Sequence, residues 1–216
     1  NNLLGPGLSF SITNKNLFGG GENLSFKLNG AYEWEVGNKQ ANSNSGLINS
    51  YELGLNVGLS LPRLLVPNFL KSNKDFAERT HFQIGMDFLN RHTFFRMISF
   101  TGSTSYDFQS SWRVYHTITP LKLSYTHLLR TSKEFDETME NNPAIAMSFK
   151  NQFIPSMAYT YTYDRAATTR NPNRFYWQNM IMSSGNILSA IQYISGDHQG
   201  QGKKIFGNIY SQFLKL

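Results

Sequence analysis

Leu24-Ser25-Phe26-Lys27-Leu28-Asn29-Gly30-Ala31-Tyr32-Glu33-Trp34-Glu35-Val36 alternates without a break between two kinds of residue. Leu24, Phe26, Leu28, Gly30, Tyr32, Trp34 and Val36 fall on one face, and Ser25, Lys27, Asn29, Ala31, Glu33 and Glu35 on the other. Side chains of a strand point alternately to its two faces, so this is one long, two-faced strand. Ordinary strands run five or six residues, whereas a tilted strand crossing a bilayer needs about 9–11. The length and the split between bulky apolar and charged faces predict the wall of a transmembrane barrel.

Similar strands continue on both sides. Leu8-Ser9-Phe10-Ser11-Ile12-Thr13 alternates and is joined to the long strand by Asn16-Leu17-Phe18-Gly19-Gly20-Gly21-Glu22. Glycine there supplies the positive φ that a hairpin turn requires. Gly37 to Ser50 reads as a polar loop. Tyr51 to Leu61 is a third strand, ended by Pro62 and Pro67, which offer no ladder N–H. After a loop to Glu78, strands are expected around 82–88, 98–108, 114–127, 157–163, 175–182 and 205–216, the last two alternating less cleanly. Between them Thr131-Ser132-Lys133-Glu134 resembles a capping box opening a short helix that ends before Pro143. Ser183 to Lys204 is ambiguous. Strand after strand with short connections is an antiparallel up-and-down meander.

A soluble sandwich also alternates. Strand length favours the barrel, as do aromatics near strand ends (Tyr32, Trp34, Tyr161, Tyr163, Phe175 and Trp177) that resemble a membrane-interface girdle. Lys27, Glu33, Glu35, Glu52, Asp87 and Lys122 on the opposing faces suit a wet lumen. Charged residues are only 16% of the chain and aromatics 14%, and no apolar run is long enough for a membrane helix. Counting the less regular last one, nine strands are expected, an odd number, and both ends read as cut; about eight or nine strands would be a fragment of a larger barrel. One barrel domain, incomplete at residues 1–216, follows as the expectation.

The chemistry of a catalytic site is missing. There is no cysteine, and His81, His92, His116, His127 and His198 show no metal spacing. No serine elbow or phosphate-binding loop is present. The expectation is a protein that is not an enzyme and carries neither cofactor nor metal. The net charge of +6 is scattered, so no nucleic-acid partner is expected. Arg79, Arg91 and Arg96 near strand ends read as solvated anchors, with lipid phosphate as the alternative.

Gly5-Pro6-Gly7-Leu8-Ser9-Phe10-Ser11-Ile12-Thr13-Asn14-Lys15 with Asn16-Leu17-Phe18-Gly19-Gly20-Gly21-Glu22 resembles the first barrel hairpin of the BamA/TamA superfamily of outer-membrane insertases. His116-Thr117-Ile118-Thr119-Pro120-Leu121 and Ser184-Gly185-Asn186-Ile187-Leu188 resemble versions of it from Bacteroidetes-type bacteria. The resemblance implies roughly the first half of a 16-stranded barrel, with POTRA domains before Asn1 and an Arg-Gly-Phe loop beyond Leu216. It implies a place in the Gram-negative outer membrane and a role in protein insertion or translocation. Leu8, Ser9, Phe10, Ser11, Ile12 and Thr13 would then be the edge of a lateral gate. The implied partners are outer-membrane lipids, client outer-membrane proteins and periplasmic or lipoprotein accessory subunits. A passive porin is the rival reading.

Overall fold

The computed structural model describes residues 3–35, 49–65, 76–91, 94–143, 146, 149, 151–165, 175–186, 204–205, 208–209 and 213–215. Its strands are β1 (Leu3–Leu4), β2 (Gly7–Lys15), β3 (Asn23–Glu35), β4 (Asn49–Leu61), β5 (Arg79–Arg91), β6 (Phe95–Ser111) and β7 (Val114–Thr131). Helix α1 (Lys133–Asn141) follows, then β8 (Gln152–Asp164), β9 (Tyr176–Ser184), β10 (Lys204–Ile205), β11 (Asn208–Ile209) and β12 (Phe213–Lys215). From β3 to β9 each strand pairs antiparallel with the next. The second strand runs as the alternation from Leu24 predicts, although Val36 lies outside the described residues. So do the loop at 37–48, His92, His198 and most of the ambiguous 183–204 stretch.

Alternation carries across the sheet as rows. Phe10, Leu28, Leu55, Met86, Phe100, Tyr125 and Phe153 are successive cross-strand partners from β2 to β8. The neighbouring polar row runs Ser11, Lys27, Asn56, Gly85, Thr101 and Ser124. One face is therefore apolar throughout and the other polar. A single extra residue in β7 between Thr119 and Lys122, at Pro120, displaces the register against both β6 and β8. Even-numbered Val114, His116 and Ile118 and odd-numbered Leu121, Leu123 and Tyr125 consequently share the apolar face. Proline lacks the ladder N–H, and a bulge is where a central strand tolerates it.

Among the described residues the buried apolar side chains are Leu61, Leu64, Phe95 and Phe135. Most of the apolar face is open: Leu8, Leu53 and Ile84 are 78%, 52% and 69% exposed. After β4 the chain folds back, and buried Thr80 accepts from the Leu65 amide (3.0 Å) while donating to the Arg63 carbonyl (2.8 Å). At the other end of the sheet Phe135 packs with Phe94, Phe95 and Phe149, ring centroids 4.7–6.4 Å apart. The helix begins one residue later than a capping box at Thr131 requires. Ser132 is the N-cap and accepts from the Phe135 amide at 3.2 Å.

The sheet is not a barrel. Its first row is β1 with β2, its last is β12, and among the described residues no ladder joins the two. The expected ninth strand at 205–216 is broken, with β10 and β11 forming a separate two-residue hairpin and β12 only three residues long. An open edge leaves backbone N–H and C=O groups unpaired, each costing several kcal/mol in hydrocarbon, so spanning sheets are closed. The open antiparallel sheet overturns the transmembrane-barrel expectation, and with it the BamA/TamA resemblance, the outer-membrane location and the insertion or translocation role. The porin rival falls on the same ground. Among the described residues no helix is long and apolar enough to cross a membrane.

Candidate functional site

One edge of the sheet is formed by β2, which follows β1 along β3. Among the described residues it pairs with β3 alone, through an unbroken register from Gly7↔Ala31 to Lys15↔Asn23, and all nine of its residues are exposed. Leu8, Phe10 and Ile12 extend the apolar face; Ser9, Ser11 and Thr13 extend the polar one. Ser9 donates to the Asn29 side chain at 2.9 Å. Proteins usually blunt an edge with charge, proline or a bulge. Pro6 and Gly5 interrupt the row between β1 and β2, and Lys15 ends it, but nothing of the kind lies from Gly7 to Asn14.

A rigid turn holds this strand against β3. Asn16 adopts φ +63°, and Gly19 and Gly21 adopt +82° and +83°. The Asn16 side chain accepts from the Gly21 amide (2.7 Å), and the Glu22 carboxylate accepts from that of Gly20 (3.0 Å). Glu22's own amide, and then those of Gly20 and Phe18, hold its carboxyl below the ordinary carboxylate range against the opposing effect of burial; Arg63 adds a smaller push. Leu17 is half-buried and Phe18 exposed. Asn16 to Gly21 thus shape the hairpin and fix where β2 begins and ends.

The aromatics expected to form a membrane-interface girdle lie in two groups at opposite ends of the sheet. Tyr32 and Trp34 are 6.0 Å apart on β3; Tyr161 meets Trp177 edge-on at 5.9 Å, and Tyr163 meets Phe175 at 5.9 Å. The polar face carries a shallow groove of about 440 Å³ that starts at Ser11 and runs past Lys27, Asn56 and Ser60 to His81 and Gln83. There Asp107 binds His81 at 3.0 Å and accepts from Thr117 at 2.8 Å, tying β5, β6 and β7.

A second constellation, unread in the sequence, lies across β6, β7 and β8. His116 Nε2 is 2.8 Å from Ser110 Oγ, and Nδ1 is 2.8 Å from Tyr159 Oη. Phe108 stacks on the imidazole at 4.9 Å. A neutral imidazole can accept a serine proton; here the ring is also a cross-strand tie among aromatic neighbours. Ser110 reaches it because β6 is irregular between Gln109 and Ser111, a detail that residue spacing does not encode.

Burial holds His116 below the ordinary imidazole range, so the unfolded chain takes up this proton at a higher pH than the folded one. Its contribution is full above about pH 6.5 and is lost as pH falls from there to the folded value. Urea unfolding at a series of pH values should show wild-type stability declining across that window, with a shallower decline in His116→Gln. Identical profiles for the two would remove the assignment.

No protein-family model matches the chain, and neither a curated protein nor a solved structure does.

Proposed function

We propose that this chain is a non-catalytic interaction module that binds a partner polypeptide by adding an extended strand to β2. The free, uncharged edge from Gly7 to Asn14 carries the reading. In strand addition the backbone supplies affinity and alternate side chains supply selectivity. Leu8, Phe10 and Ile12 would meet apolar residues of the incoming strand, while Ser9, Ser11 and Thr13 would meet polar ones. The favoured partner is therefore a segment of period-two alternation, not a helix and not nucleic acid. The rigid Asn16–Gly21 turn supports the reading by keeping the edge extended before a partner arrives, which lowers the ordering cost of binding.

The test uses a synthetic peptide of residues 23–35, the sequence that already pairs with the inner side of β2. Successive residues of a strand direct their N–H groups to opposite sides, so every second β2 amide lacks a ladder partner. Those amides should exchange quickly in the free chain and slow down on peptide addition. Proline at Phe10 and at Ser11, made separately, should separate the two sides. One variant weakens the β2–β3 ladder, and the other leaves that ladder intact but abolishes peptide binding. Unchanged β2 exchange at saturating peptide would end the proposal.

A further inference from the structure

We infer that Arg96 and Arg130 form a binding site for a phosphate-type dianion at the end of the sheet remote from the β2–β3 turn. The two residues line one cavity of about 260 Å³ together with Asn90, Thr131 and Ser132. Register builds it. Asn90 pairs with Arg96, and Arg96 with Arg130, so one row across β5, β6 and β7 places two arginines directly opposite each other. That opposition depends on a second irregularity in β7: the step from Met97↔Leu128 to Arg96↔Arg130 leaves Leu129 as the extra residue. Without it Leu129 would face Arg96.

Like charges directly opposite each other on a sheet destabilise it, and carboxylates normally relieve them. Among the described residues none does so. The acids nearest in sequence, Glu134 and Asp136 in the first turn of α1, make no ion pair with them. Arg96 Nε is committed to the Asn90 side chain at 2.9 Å, which orients its guanidinium. Arg91, which lies over the Phe95 ring at 5.8 Å, belongs to the next row and so to the opposite face of the sheet, and takes no part. An unrelieved arginine pair with one guanidinium already oriented fits an anion that accepts from both. Arginine's planar fork matches the oxygens of a phosphate or phosphate monoester, and the cavity admits a group of that size. The site does not involve β2 and stands independently of strand addition there.

The experiment is calorimetric titration of the whole chain with inorganic phosphate, alongside flotation with phosphatidic-acid vesicles and a phosphatidylcholine control. Phosphate should bind saturably, and Arg96→Gln or Arg130→Gln should each weaken it about tenfold or more. The double variant should abolish it, and Arg→Lys should fall between, keeping charge but losing the fork. A second readout separates a ligand site from a structural role. In phosphate-free buffer Arg130→Gln should unfold at a higher temperature than wild type, because repulsion is relieved; in phosphate the order should reverse. Binding of inorganic phosphate without vesicle capture identifies a free anion as the ligand. Capture by phosphatidic acid alone, lost in the double variant, identifies a headgroup. Absence of both, or binding that survives the double variant, overturns the site.

Discussion

Replacing Phe135 with alanine is expected to destabilise the fold by about 3–5 kcal/mol, the usual cost of deleting a buried phenylalanine. The side chain is 7% exposed, as is Phe95 beneath it. It contacts Phe94, Phe95 and Phe149, the last of these edge-on at 5.0 Å. Among the described residues few other apolar side chains are buried, so little neighbouring core is there to collapse into the vacancy. The helix adds its own dependence. Ser132 caps α1 and donates its amide to the Phe94 carbonyl at 2.9 Å, so losing the aromatic anchor also loosens the helix start. Urea denaturation gives the number directly; a shift below about 1 kcal/mol would show that the cluster rearranges at little cost.

Deleting Ser124 from β7 is expected to cost roughly 3 kcal/mol, whereas deleting Pro120 should cost less than about 1 kcal/mol. Pro120 is the extra residue; without it Ile118 still meets Tyr106, Leu121 still meets Thr104, and Thr119 and Lys122 still meet Ala158 and Ser156, so alternation becomes continuous. Losing Ser124 has no such remedy. Either the stretch 121–123 turns over to absorb the extra residue, sending Leu121 and Leu123 to the polar face and Lys122 to the apolar one, or everything beyond the deletion does. Thermal unfolding of the two variants checks the contrast; equal losses would mean that the bulge itself is what β7 requires.

Strand content was open to reading because alternation reports faces. Leu53, Leu55, Val57, Leu59 and Leu61 announce β4 whatever lies around it, and the glycine-rich turn after Lys15 announces a hairpin. Closure is a different matter. Alternation says which face a residue takes and nothing of what lies beyond the first and last strands; Asn16 to Gly21 make a turn that suits any antiparallel sheet. A barrel inferred from strand length and that hairpin accordingly gave way to an open sheet. A strand was legible at Leu8 to Thr13, since local pattern suffices for that; its place at an open edge was not. The arginine row and the Ser110–His116–Tyr159 link were not. Both depend on one-residue irregularities in β6 and β7 that leave no mark on composition or spacing.

The extra residue at Pro120 also has a genetic consequence. A strand flanked on both sides is read in a frame of two, as a message is read in a frame of three. Pro120 stands outside that frame, so its loss leaves every neighbour in phase, whereas the loss of Ser124 does not. A chain lacking Ser124 should therefore be rescued by a single insertion close by in β7, and by almost any amino acid. Suppressors of that deletion should be recovered as insertions within this one strand and not as substitutions across the sheet.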